Sequence, residues 1–265
     1  MTTPLLSIAT ANYGSPLWIE LFIKSVRRFT TIEHELVVID NGSGPGDLVW
    51  LRAQRDIRLI ENPDNSGLSG GAMDQITELA DGRYICFMDS DAHFQREGWE
   101  NDVLALYHKD PQTRLVCKEG PISIGRPVHP PLFFYERDFF REHGLSFRYQ
   151  KGVPHSTDVA QKVYWDILDL GYKVELFKRG DHIYGPAVAG IDGQLGGNEI
   201  WFGGKPTIYH HFYGSRLRHL GENKWRWEAY YRLGDEKEAV HEARTAALFR
   251  EPLVKRILSE EGRHG

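Results

Sequence analysis

Apolar residues along this chain fall in short continuous runs, separated by stretches where they recur every three or four positions. Residues 5–10, 35–40, 57–60 and 84–88 are runs of the first kind, dominated by Ile, Leu, Val and Phe, and they predict strands, the first and last of them buried. Between the first two, Leu17, Leu21, Phe22, Val26 and Phe29 lie at helical spacing and predict one apolar helix face. Ser15-Pro16 just ahead offers an N-cap and a proline at the first helical position. A short helix over 48–54 and a longer one over 68–80 fill the next two gaps. This alternation predicts a mostly parallel sheet covered by helices.

The pattern loosens further on. A helix is expected over 99–108, a strand over 114–117, a Pro- and Gly-rich loop over 122–131, a strand over 132–135 and a helix over 137–143. Val159, Val163, Ile167 and Leu170 mark a further amphipathic helix, with Thr157-Asp158 at its N-terminus and Gly171 as its C-terminal cap. A strand over 172–177 follows. The glycine-rich stretch 190–204, with Trp201 and Phe202, reads as a flap over a ligand or as a surface loop. Residues 207–215 are strand-like, which sends the adjacent His210 and His211 to opposite faces. From 216 to 232 arginines and lysine alternate with Trp and Tyr, which suits an anionic or membrane-proximal partner or a helix packing its aromatics inward. Two helices, 235–249 and 253–258, are expected on either side of Pro252.

Composition narrows the class. With 41% hydrophobic and 26% charged residues and a formal charge of -5, the chain reads as a soluble globular protein and not as an obvious binder of polyanions. Its two cysteines, Cys86 and Cys117, each sit in an apolar run, which points to reduced core thiols. Residues 1–7 show no basic and apolar leader pattern, and no apolar run approaches the roughly 20 residues of a membrane span. A cytoplasmic location, with a peripheral visit to a membrane left open, is the expectation.

Chemistry concentrates where the strands end. The run 84–88 stops at Asp89-Ser90-Asp91, and carboxylates at a buried strand end need a cation, hydrogen-bond donors or water; the same triplet also suits a plain turn. Ligands of open α/β sheets bind beyond the carboxyl ends of the strands, and Thr10, Asp40, Asn65 and Asp89 all fall there. Gly67, Gly70 and Gly71 flank a helix start, suited to close backbone approach and to anions. No G-x-G-x-x-G follows the first strand and no G-x-x-x-x-G-K-[ST] occurs, which sets aside dinucleotide dehydrogenases and P-loop phosphotransferases.

Four motifs in register then carry a resemblance. Ile8-Ala9-Thr10-Ala11-Asn12, Val38-Ile39-Asp40-Asn41-Gly42-Ser43, Asn65-Ser66-Gly67-Leu68-Ser69-Gly70-Gly71 and Phe87-Met88-Asp89-Ser90-Asp91 resemble the family-2 type of glycosyltransferase with the GT-A fold, over about residues 5–105. Ala11 stands where that family often has an aromatic, and Asp74 where it frequently has Asn. The resemblance implies a nucleotide-sugar site in which Ala9, Thr10, Ala11, Asn12 and Asp40 hold base and ribose, with Asn65, Gly70 and Ser90 alongside. It implies that Asp89 meets ribose or metal, that Asp91 binds a Mn2+ or Mg2+ ion bridging the diphosphate, and that His210, rather than His211, is a metal or diphosphate ligand. Asp158 takes the place of the general base; an N-cap role is open to it at the same time.

The expected protein is thus a GT-A-like α/β domain over 1–215, with a nucleotide-sugar half (1–110) and an acceptor half (111–215), and a helical extension over 216–265 that packs on it or makes a homo-oligomer contact. It would transfer a sugar, with inversion, to a hydroxyl of a glycan, a lipid-linked glycan, a small molecule or a nucleic acid. A nucleotidyltransferase of similar fold and a non-catalytic nucleotide-sugar-binding module are the rivals; the former lacks its basic Gly-rich signature here.

Overall fold

The computed structural model describes residues 4–120, 126–177, 198–211 and 252–259. The four early apolar runs form β1 (Leu6–Asn12), β2 (His34–Asn41), β3 (Ile57–Asn62) and β4 (Tyr84–Met88), all parallel to one another. With β6 (Thr113–Glu119), β7 (Val128–Glu136) and β8 (Lys173–Phe177) they make a seven-stranded sheet in the order β3-β2-β1-β4-β7-β6-β8. Within it β7 runs antiparallel to both neighbours, while β6 and β8 are parallel. The sheet is mostly parallel, as the alternation predicts.

Continuous apolar runs follow from covering both faces of such a sheet. Leu6, Ile8, Leu36, Val38, Cys86 and Met88 point to a core shared with α1 (Pro16–Phe29), α2 (Pro45–Ala53) and α4 (Trp99–Lys109). Ala9, Val37, Ile39, Ile85 and Phe87 point to the other, beneath α3 (Leu68–Leu79), α5 (Arg137–Glu142) and α6 (Gln161–Asp169). Cys86 and Cys117 belong to opposite cores, and both are free, buried thiols; burial raises the pKa of each.

A second sheet positions the site. β5 (Ala92–Phe94), β9 (Asn198–Phe202) and β10 (Lys205–His210) pair in the antiparallel order β5-β10-β9. β5 is too short to read from the sequence. β9 passes through the stretch expected as a glycine-rich loop; its Ile200 and Phe202 are buried in the core, and the loop pattern masked them.

Other boundaries also move. β7 begins inside the expected loop 122–131, and its prolines are tolerated because β4 has already ended: the last β4 pair is Met88 with Leu132, after which the Asp89 N–H donates to the Pro131 carbonyl at 3.0 Å. β10 stops at His210; residues 212–215 and the segments 216–232 and 235–249 lie outside the described residues. The helix expected over 253–258 is α7 (Pro252–Ser259), with Pro252 in its first turn, in keeping with proline's fit there. Val254 and Ile257 of α7 join the core at α1, and Lys24 Nζ donates to the Leu258 carbonyl at 2.8 Å. Among the described residues no helix is long and apolar enough to cross a membrane.

Asp158 is not a helix cap. α6 starts at Gln161, with Ala160 in the cap position at a left-handed φ of 65° and no capping side chain. The start is fixed by tertiary bonds instead: Gln161 Nε2 donates to the Val128 carbonyl at 2.8 Å, and the Ala160 N–H to the Phe147 carbonyl at 2.8 Å. The far end does follow the sequence reading. Gly171, at φ 82°, donates to Leu168 at 2.9 Å and Tyr172 to Ile167 at 3.1 Å, the paired bonds of a glycine-terminated helix.

Candidate functional site

At the carboxyl edge of β4 the chain turns, with the Ala92 N–H on the Asp89 carbonyl at 3.0 Å, and enters β5. β10 returns alongside and places His210 opposite Ala92. His210 Nε2 thereby stands 3.3 Å from Asp91 Oδ1 and 3.6 Å from Asp89 Oδ2. One ligating atom from each of the three residues lies within 4.8 Å of the others. The Asp91 and His210 side chains are 5% and 7% exposed and that of Asp89 28%, so the cluster opens on the Asp89 side. Two hard carboxylates and one imidazole on one side of such a centre fit a divalent cation that keeps positions for other oxygen ligands.

His211 turns the other way. Its N–H donates to the Asp91 carbonyl at 2.8 Å, tying β10 to the acidic turn. Its ring packs against Trp18 at 4.8 Å, Tyr209 at 4.7 Å and His93 at 4.9 Å, and its Nε2 lies 2.8 Å from His93 Nδ1. Burial lowers the His93 pKa to about 3, so this ring is neutral near pH 7. The His93–His211 pair escaped the sequence reading.

A second group lies at the ends of β1 and β2. Asp40, fully buried, accepts from the Ser43 N–H at 2.8 Å, from Ser43 Oγ at 2.6 Å and from Asn12 Nδ2 at 2.7 Å. Ser43 Oγ also accepts from the Gly14 N–H at 2.7 Å. Asp40 therefore ties the turn after β1 to the turn after β2. Thr10 Oγ1 and Asn12 Oδ1 are buried and have no hydrogen-bond partner among the described residues, a costly state unless a ligand or water completes them. Ser90 is buried at the neighbouring edge, and Ala11 is half-buried. Ala9 is a core residue, paired in register with Val37 and Phe87, so its side chain stays in the sheet interior.

The turn after β3 abuts this group. Gly42 has φ 84°, and a Cβ there would sit 2.8 Å from Asp64 Cα, which brings the two turns together and sets the half-buried Asn65 beside them. The close approach that Gly70 permits is to the chain itself: a Cβ on Gly70 would lie 2.8 Å from the Phe147 carbonyl oxygen.

Asp158 is exposed; its Oδ1 accepts from the Val159 N–H at 2.8 Å, and its Oδ2 is 3.4 Å from Arg126 Nη1. Because β7 is antiparallel to β4 and β6, Arg126, just ahead of β7, lies at the same sheet edge as Asp89. Arg126 is a further residue that the sequence did not single out.

Sheet order, helix placement and an acid–acid–histidine cluster at the carboxyl edge define a protein of the GT-A architecture. The glycosyl transferase family 2 profile matches residues 7–163, more than half of the 265 residues, and the chain belongs to that family. Among curated proteins of Bacillus subtilis (strain 168), it is 31% identical over 94 residues to the putative glycosyltransferase EpsH (34% of this chain, 27% of EpsH). It is 28% identical over 104 residues to the putative teichuronic acid biosynthesis glycosyltransferase TuaG (38% of this chain, 41% of TuaG). The matches thus span well under half of either relative. Among solved structures, the mannosyltransferase PcManGT from Pyrobaculum calidifontis, in complex with GDP-Man and Mn2+, superposes with TM-score 0.51 at 17% identity, over 100% of this chain and 77% of that one. S. aureus TarS 1-349 in complex with UDP gives 0.52 at 14% identity, over 93% of this chain and 72% of that one.

Proposed function

We propose that this chain is a metal-dependent transferase that moves a sugar from a nucleoside-diphosphate donor to an acceptor hydroxyl with inversion. The observation that carries the reading is the Asp89–Asp91–His210 cluster at the sheet edge that also holds the unpartnered Thr10 Oγ1 and Asn12 Oδ1. Asp91 and His210, and Asp89 from the open side, would hold Mn2+ or Mg2+; the imidazole favours Mn2+ over Mg2+. When bound, such an ion supplies Lewis-acid stabilisation of the leaving diphosphate. Asn12 and Thr10 offer their free oxygens to the nucleotide, and Asp40 keeps Asn12 and the Ser43 turn in place for it. Ala11, Asn65 and Ser90 line the donor side of the same reading, with Ala9 supporting them from the core and Gly70 packed instead against the Phe147 carbonyl. Asp158 accepts the proton of the acceptor hydroxyl while its oxygen bonds to the anomeric carbon and the bond to the diphosphate breaks on the opposite face.

The nucleotide-bound states of PcManGT and TarS support a nucleoside-diphosphate sugar as the donor class. The acceptor belongs to the hydroxyl-bearing classes named above. A cytoplasmic site of action, and self-association through the C-terminal helices, are parts of the same proposal. The test is a thermal-shift panel of UDP, GDP, CDP and ADP, with Mn2+, Mg2+ or chelator. One nucleotide should raise the melting temperature by several degrees with Mn2+ and by much less with chelator, since a ligand at 100 times its Kd adds about 2.7 kcal/mol. Equal shifts with Mn2+ and with chelator would overturn the metal-dependent reading.

The adjacent histidines give a sharper expectation. His210→Ala should remove most of the Mn2+-dependent shift while leaving the apo protein near its parent melting temperature. His211→Ala should do the reverse, leaving a cavity beside Trp18 and Tyr209 that costs about 2 kcal/mol and lowers the apo melting temperature by several degrees. A larger loss of Mn2+ response in the His211 variant would assign the cluster to the wrong ring.

A further inference from the structure

The Asp158 loop meets its own helix through Gln161, which donates its N–H to the Asp158 carbonyl at 3.4 Å and Nε2 to the Val159 carbonyl at 3.3 Å, and its base is held by a helix of the nucleotide-sugar half. Residues 147–160 form a loop closed at its base by the Ala160 N–H on the Phe147 carbonyl at 2.8 Å, and across its middle by the Gln150 N–H on Ser156 Oγ at 2.7 Å. Ala160 sits in the left-handed region at φ 65°, a conformation that a non-glycine residue keeps only when its surroundings impose it. Asp158 is two residues away. The base of this loop is pinned to α3. Asp74 Oδ1 accepts from the Phe147 N–H at 2.8 Å, and Asp74 Oδ2 accepts from Ser146 Oγ at 2.7 Å and lies 3.3 Å from Arg148 Nε.

One turn earlier on the same helix, Gly70 removes the obstacle to this contact. Its missing Cβ would be 2.8 Å from the Phe147 oxygen and 3.0 Å from Arg148 Cα. The Phe147 ring anchors the other side, fully buried and stacked at 5.2 Å on Phe140. The buried face of α3, Ala72, Met73 and Ile76, packs in the core with Ala9, Val37 and Ile39 of β1 and β2. A continuous line of contacts therefore runs from the Thr10–Asn12–Asp40 edge through α3 to the loop that carries Asp158.

We infer that Asp74, with Gly70, is the seat that registers the Asp158 loop against the nucleotide-sugar half, which makes Asp74 a positioning residue for the transfer step. The inference rests on Asp158 being the base. Its physical content is that a partly buried carboxylate, 23% exposed, holding a backbone N–H, a hydroxyl and a guanidinium fixes that segment more tightly than neutral bonds would. A shift of about 1 Å in a reacting group is enough to cost about 10²-fold in rate.

Hydrogen exchange and steady-state kinetics on the full chain test this together. In Asp74→Ala the amides of Phe147 and Ala160 should exchange at least tenfold faster, and kcat for nucleoside-diphosphate release should fall tenfold or more. The donor KM, and the affinity for the panel's best nucleotide with Mn2+, should stay within about twofold. Asp74→Asn keeps one acceptor oxygen for the Phe147 N–H and should recover part of both losses, which also covers the case of a poorly folded alanine variant. Unchanged exchange at Phe147 and Ala160 in both variants overturns the seat. A loss of nucleotide affinity in step with kcat overturns it too, by placing Asp74 in the donor site. If Asp158→Asn keeps full turnover while Asp74→Ala loses both protection and kcat, the seat stands and the base assignment fails.

Discussion

Asp91→Ala should eliminate Mn2+-dependent nucleotide binding and lower turnover by roughly 10²–10³-fold, the rate equivalent of the several kcal/mol a Lewis acid contributes. The geometry makes Asp91 the most sensitive member of the cluster. Its carboxylate is 5% exposed and 3.3 Å from His210 Nε2, whereas Asp89 is 28% exposed and 3.6 Å away. Water can replace an oxygen at the Asp89 side more easily than behind Asp91. The variant should fold, because it removes a buried charge without touching the backbone bond from the His211 N–H to the Asp91 carbonyl. Asp89→Asn, which retains an oxygen ligand, should lose less. Isothermal titration of Mn2+ in the presence of the nucleotide chosen by the panel checks both variants. Retained Mn2+-dependent binding by Asp91→Ala would remove Asp91 from the ligand set.

The strands β1, β2 and β4 were legible because one physical rule governs them. A parallel strand covered on both faces must be apolar throughout, so Leu6 to Ala9, Leu36 to Ile39 and Tyr84 to Met88, buried without exception, announce both the strand and, by their polar ends, the edge where chemistry occurs. What the sequence could not disclose depends on contacts far apart in the chain. The three-residue β5 exists because β10, more than a hundred positions later, pairs with it. β9 reads as loop because Gly203 and Gly204 close its hairpin with φ of 55° and 75°, and a glycine pair outweighs a five-residue strand in any local pattern.

The site shows the same division. Asp40 stands where the strand pattern ends, yet its three bonds to Ser43 and Asn12 depend on how two turns meet. In the sequence Asp74 is marked only by the family resemblance, as a departure from a frequent Asn. Its three partners, Ser146, Phe147 and Arg148, lie more than seventy positions away, and no periodicity within α3 encodes them. The helix-start reading failed at Asp158 for a related reason. Ser-Thr-Asp ahead of an amphipathic run is a sound capping pattern, but the Gln161 side chain on β7 and the Phe147 carbonyl set the first turn of α6 two residues later than a cap at Asp158 would.

That displacement sharpens the second large effect, expected for Asp158→Asn. As the carboxylate caps no helix, the substitution changes only its own two contacts. The amide oxygen still accepts the Val159 N–H, and the 3.4 Å pair with Arg126 is lost at a cost below about 1 kcal/mol, since both groups are exposed. The melting temperature and the Mn2+-dependent nucleotide shift should therefore match the parent. Turnover should not: an amide cannot take the acceptor's proton, and losing a general base costs about 10²–10⁴-fold. Release of nucleoside diphosphate, followed with an acceptor that the parent uses, measures it, and hydrolysis of the donor by water should fall less than transfer does. Parent-rate transfer by Asp158→Asn would reduce Asp158 to a partner of Arg126. The search for the base would then move to Glu199, whose backbone pairs with that of Tyr209 beside the cluster, and to Asp192, which lies outside the described residues.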